Sequence, residues 1–131
     1  MSQSKVFSPV QAAVGAFLGG PLASTIFISQ NFSALNEPEK KSTTLIAGTI
    51  IIIALIAVSL NLPENFPGLI FTIATIITTR LIVEKKQFTK EKIEESEQLT
   101  FHSNWLVFGI GMLSLLLTFA VAFLLIMAIE V

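Results

Sequence analysis

Apolar positions gather into four long runs, over residues 9–29, 43–60, 67–83 and 105–129, with short polar stretches between them. A bilayer core of about 30 Å is crossed by about 20 apolar residues in helical form, so each run reads as a transmembrane helix. Helices in lipid can be apolar all round, so the sequence's punctuation sets the boundaries. Ser8-Pro9-Val10-Gln11 places Ser at the cap, Pro at the first helical position and Gln three residues after the cap, which predicts a helix starting at Pro9. Apolar residues continue past Leu22-Ala23-Ser24, so this first run is read as an uncleaved span rather than a signal peptide.

Asn36-Glu37-Pro38-Glu39 reads as a second capping box. The helix it starts would pass Lys40 and Lys41 and enter lipid near Thr43. The link at 61–68 holds Pro63 and Pro67 and is short enough to make the second and third runs antiparallel neighbours. Arg80 lies near the end of the third run, within reach of the interface. Residues 84–104 form the one hydrophilic loop. Within it Thr89 is placed to cap a short helix over 90–99, and Phe88, Ile93, Leu99 and Phe101 would anchor that helix on the membrane surface. Ser103 or Asn104 caps the last helix, with Trp105 at headgroup level. The expected fold is an all-α integral membrane protein: one domain over 1–131, a four-transmembrane-helix bundle with its first helix kinked at Gly19-Gly20-Pro21.

Composition sharpens this picture. Charged residues make up 13% of the chain, against about 25% in a soluble domain. The chain has no cysteine, no aspartate and a single histidine, His102. That excludes thiol chemistry and leaves no nucleophile–base pair or metal constellation, so no enzyme and no cofactor is expected. A net charge of −1 gives no footprint for nucleic acid. Basic residues set orientation. Lys40, Lys41, Arg80, Lys85, Lys86, Lys90 and Lys92 share one side of a four-span topology, leaving Lys5 on the other. Loops 30–42 and 84–104 are therefore expected in the cytoplasm and both termini in the periplasm. A re-entrant hairpin at Gly19-Gly20-Pro21 would instead put the N-terminus in the cytoplasm and leave the other three runs as they were. Residues 9–29 are long enough to cross, and the full span is the favoured reading.

Six features are candidates for a site. At Gly19-Gly20-Pro21, proline removes a backbone donor and frees carbonyls that can bind a cation or polar ligand, as broken transporter helices do. The favoured reading is a kink with close packing, since Gly15 and Gly19, and Ala12, Ala16 and Gly20, form small-xxx-small patterns. Gly111, Ser114, Thr118 and Ala122 form one small or polar face of the last helix, read as a helix contact ahead of a pore wall. Thr72, Thr75, Thr78 and Thr79 read as threonines bonded back to their own helix ahead of a polar path. Gln11 and Asn31 read as interfacial residues. His102 reads as a juxtamembrane residue; a metal site there would need Glu94, Glu95 or Glu97. The mixed Lys/Glu run at 84–97 reads as a solvated face in which Lys85 and Lys86 can touch anionic headgroups. No charged residue falls at the centre of a span, which argues against an ion-coupled transporter.

Phe7-Ser8-Pro9-Val10-Gln11, then Phe17-Leu18-Gly19-Gly20-Pro21-Leu22-Ala23, then Asn31-Phe32 resembles a set of small, uncharacterised bacterial multi-pass membrane proteins that share a Ser-Pro-x-Gln start, a Phe-Leu-Gly-Gly-Pro-Leu-Ala core and an Asn-aromatic pair. The likeness covers roughly the first 36 residues. It implies a bacterial inner-membrane location and carries no activity. The expected function is interaction through intramembrane helix–helix contacts, as an assembly, accessory or immunity-type protein. The expected partners are the lipid bilayer and either further copies of the chain or a partner membrane protein. The alternative is a small oligomeric channel or solute carrier using the broken first helix.

Overall fold

The computed structural model describes residues 4–63, 65, 67–87, 89–96 and 99–130. Glu64 and Phe66 of the link, the expected anchor Phe88, and Glu97 lie outside the described residues. The described residues are helical apart from one pair of short strands and the turns between elements. In order it forms β1 (Ser4–Val6), α1 (Pro9–Ala34), α2 (Pro38–Asn61), α3 (Leu69–Ile82), a π-helical turn (Val83–Gln87), α4 (Lys90–Glu95), β2 (Leu99–Phe101) and α5 (Asn104–Glu130). Among the described residues α1, α2 and α5 are long and apolar enough to cross a membrane. α3 is shorter, about 21 Å by helical rise, and the π-helical turn extends it.

α1 begins as the sequence dictates. Ser8 Oγ accepts from the Gln11 amide at 3.1 Å, and Gln11 Oε1 accepts from the Ser8 amide at 3.0 Å. Pro9 then occupies the first turn, where its missing N–H costs nothing. The helix does not run on. Gly20 has φ 68 and ψ −156, a region open essentially to glycine alone. Beyond it residues 21–34 return alongside residues 9–19. Phe7 and Asn31, separated by 24 residues, would stand about 36 Å apart along a straight helix. Here the Phe7 amide donates to Asn31 Oδ1 at 2.8 Å. The Phe7 and Phe27 rings meet edge-on at 4.6 Å. The expected crossing over residues 9–29 is therefore corrected. The segment is a helical hairpin, because Gly20 takes a dihedral pair no helix contains and Pro21 cannot supply the donor that would continue the ladder.

The hairpin is the hub of the fold. α2, α3 and α5 each pack on α1 and scarcely on one another. α2 buries no residue at all, α3 buries Thr79, and α5 buries Val107, Gly111 and Ser114. β1 lies parallel to β2, with Lys5 opposite Thr100, so the N-terminal strand sits where α5 begins. α5 then runs about 40 Å to Glu130. The described ends of the chain, Ser4 and Glu130, therefore lie at opposite ends of the bundle.

Three further details differ from expectation. Asn36 does not cap α2; at φ 59 it occupies the left-handed region that asparagine tolerates and turns the chain out of α1. The N-cap of α2 is Glu37, without a side-chain cap bond, and Pro38 opens the helix. The hydrophilic loop does not lie flat as one surface helix. Thr89 caps α4 through the Lys92 amide at 3.1 Å, but α4 ends at Glu95. Ile93 of α4 is buried with Val6 against Leu35, Leu99 and Phe101, so α4 and the strand pair close over the open base of the hairpin.

Candidate functional site

Two features of the hairpin carry the chemistry: a polar clamp at its base and a tip between two cavities.

The clamp centres on Asn31, which is fully buried. Its Nδ2 donates to the Phe7 carbonyl and to Gln87 Oε1, both at 2.9 Å, while its Oδ1 holds the Phe7 amide. Gln87 Nε2 donates to the Ile28 carbonyl at 2.9 Å. These bonds tie the segment between β1 and α1, the returning arm of the hairpin and the π-helical turn after α3 into one network. Every Asn31 donor and acceptor group is used, which is the condition under which a buried amide stabilises rather than costs. The expected interfacial role of Asn31 is therefore corrected to that of a buried joint. Gln11 does similar work nearer the surface. Its Nε2 donates to the His102 carbonyl at 2.8 Å and to Asn104 Oδ1 at 3.0 Å, which fixes the start of α5. His102 stacks on Phe7 at 4.1 Å and its amide donates to the Val6 carbonyl. Partial burial, helped by the Lys5 ammonium, holds its imidazole pKa below the usual 6.5. Among the described residues no cluster of His, Cys, Asp or Glu could hold a metal.

The small residues singled out in the sequence come together, but within one chain. A Cβ on Gly15 would overlap the Phe27 ring, so Gly15 is what lets the two arms of the hairpin close. A Cβ on Gly19 would stand 2.7 Å from the Gly111 carbonyl oxygen and 2.8 Å from Ser114 Cβ. A Cβ on Gly111 would stand 2.9 Å from that of Leu18. Gly15, Gly19, Gly111 and Ser114 thus form the α1–α5 contact, where lipid supplies no hydrophobic drive and close backbone approach must do the work. These residues, read from the sequence as helix-packing positions, make that contact inside the protomer. Gly48, which the sequence reading passed over, performs the same service between α2 and Thr25. Ser114 Oγ is buried without a hydrogen-bond partner among the described residues.

The hairpin tip at Gly20 and Pro21 touches two cavities. One, of about 450 Å³, lies between the returning arm of α1, α2 and α3. The other, of about 490 Å³, lies beyond the tip, between the far halves of α2, α3 and α5. Its lining includes Leu55, Phe71, Thr118, Phe119 and Ala122. A Cβ on Gly20 would have nothing within 4 Å. Among the described residues, most hydroxyls around these spaces are bonded back to their own helices; those of Thr72 and Thr78 are not. Thr118 donates to the Ser114 carbonyl, Thr75 to Phe71, Thr25 to Pro21 and Ser59 to Leu55, all at 2.7–2.8 Å. Thr79 likewise donates to the Thr75 carbonyl and so must accept from Ser24. The far cavity therefore presents mainly apolar carbon, with the hydroxyls of Ser59, Thr75 and Thr118 committed and that of Thr72 not.

Among the described residues, helices long and apolar enough to cross a membrane thus pack around a doubled-back core. No family model matches the chain, and neither a curated protein nor a solved structure matches it.

Proposed function

We propose that this is a small polytopic membrane protein whose first segment is re-entrant and which works through helix–helix contacts inside the bilayer, as an assembly, accessory or immunity-type component. The observation that carries this reading is the far cavity. The hairpin arms are about 16 and 21 Å long, so neither spans a core of about 30 Å. Beyond the tip α2, α3 and α5 stand apart around about 490 Å³. Protein interiors are close-packed, so a space of this size invites an occupant. The committed hydroxyls favour an apolar helix, from a second copy or a partner subunit.

In this arrangement α2, α3 with its π-helical turn, and α5 cross the bilayer. The N-terminus joins the cytoplasmic loops, and all eight Lys and Arg residues then share one side. That satisfies the positive-inside rule without exception and agrees with the bacterial inner-membrane location that the N-terminal resemblance implies.

The test uses the absence of native cysteine. Single cysteines at Phe119 and Ala122 should give disulfide-linked dimers in native membranes, and one at Phe108 should not. Ala122→Phe should abolish the larger species. Monomer alone at every position, together with an unchanged detergent size for Ala122→Phe, contradicts the reading.

The alternative, a channel or carrier using the broken helix, draws support from the tip's position between two cavities. The back-bonded hydroxyls weigh against a polar path. Flux no greater than that of empty liposomes over a panel of ions and small solutes would remove it.

A further inference from the structure

We infer that the cavity between the returning arm of α1, α2 and α3 is a binding site for one anionic phospholipid. This rests on the membrane reading above but not on the helix–helix function. The cavity holds about 450 Å³, within the usual size range of ligand sites. On α2 its lining follows one stripe from Thr44 through Ala47, Gly48 and Ile51 to Leu55. Those residues cover about 16 Å of helix, close to half of a 30 Å core, which is the depth of one leaflet's acyl chains. Of the lining hydroxyls, Thr25, Thr43, Thr44, Thr75 and Thr79 give their protons to backbone carbonyls and Ser24 pairs with Thr79, so a hydrocarbon chain meets mostly satisfied donors there, with Thr78 the exception.

The mouth supplies the charge. Traced back one turn from Thr44, the α2 stripe reaches Lys40 and Lys41. The Lys40 ammonium stands 6.0 Å from the ring centroid of Phe32, which itself lines the cavity. Beyond Ile82, the last α3 residue of the lining, Lys85 and Lys86 follow in the π-helical turn. Glu37, Glu39 and Glu84 stand among them, and Glu37 pairs with Lys40 at 3.2 Å. The lysines exceed the carboxylates at this mouth, and basic mouths between membrane helices hold anionic headgroups. The chain of the lipid lies in the cavity, and its phosphate rests at the mouth by Lys40 and Lys41.

The full-length protein is exchanged into detergent doped with equal phosphatidylglycerol and phosphatidylcholine, and retained lipid is counted by native mass spectrometry. The expected result is at least a roughly fivefold preference for phosphatidylglycerol, reduced to near parity by Lys40→Gln with Lys41→Gln. Lys90→Gln with Lys92→Gln should leave the preference unchanged. Ala47→Phe should cut retention of both lipids, and glycerol 3-phosphate should not bind. Parity in the unmodified protein overturns the inference. So does retention indifferent to the Lys40/Lys41 pair, a result that stands even where Ala47→Phe does not fold. Binding of glycerol 3-phosphate equal to that of the lipid overturns it as well.

Discussion

Gly20→Ala separates a hairpin from a continuous helix by the sign of its effect. In a straight helix, replacing an interior glycine by alanine stabilises by about 0.8–1.0 kcal/mol, because alanine loses less backbone freedom. In this structure Gly20 has φ 68 and ψ −156, where any Cβ is strained, and holding a residue there costs about 1–3 kcal/mol. A Cβ at this position meets nothing within 4 Å, so no steric clash is mixed into the result. The expected outcome is destabilisation of about 1–3 kcal/mol, a separation of at least about 2 kcal/mol from the continuous-helix value. The assay is reversible unfolding in mixed micelles, read by circular dichroism against denaturant. A stabilised Gly20→Ala variant would refute the doubled-back first segment.

Other outcomes follow from the same contacts. Asn31→Leu orphans the buried Phe7 amide and carbonyl, and should cost about 2–4 kcal/mol in the same assay, against less than about 0.5 for an exposed interfacial asparagine. A double-mutant cycle with Gln87→Leu should show coupling of about 0.5 kcal/mol or more; additivity would break the proposed network. Ser114→Ala removes a hydroxyl that is buried without a partner among the described residues, and should be neutral or stabilising by up to about 1 kcal/mol, whereas destabilisation above about 1 kcal/mol would mean the hydroxyl is bonded. His102 has a folded pKa below its unfolded value, so the unfolded chain takes up the proton first as pH falls. Its contribution is present above about pH 6.5 and is lost on acidification below that. Melting temperatures at pH 7.5 and 5.5 should differ less in His102→Gln than in the unmodified protein; an equal difference would contradict this.

How much of this was legible in the sequence follows from what each signal measures. Hydropathy located the apolar runs, because burial in lipid is a property of composition over a window. It could not distinguish a run that crosses from one that doubles back, since both bury the same residues. Ser8, Pro9 and Gln11 fixed the start of α1 because a cap is local. Gly19-Gly20-Pro21 marked a break, but the angle of that break is set by Gly20's dihedrals, which no residue type specifies. The small residues on α1 and α5 announced close packing without naming the partner, and the partner is the same chain. Asn31, Gln87 and Phe7 lie far apart in sequence, so their joint had no local signature. An isolated pair of polar residues facing otherwise apolar runs was the one hint available.

The most direct test of the re-entrant first segment is sidedness. Single cysteines replacing Lys5, Lys92 and Glu130 in the cysteine-free chain are labelled with a membrane-impermeant maleimide in oriented vesicles. Positions 5 and 92 should react from one side and position 130 from the other. Labelling of positions 5 and 130 from the same side, opposite to 92, would mean that the first segment crosses the bilayer and would contradict the account.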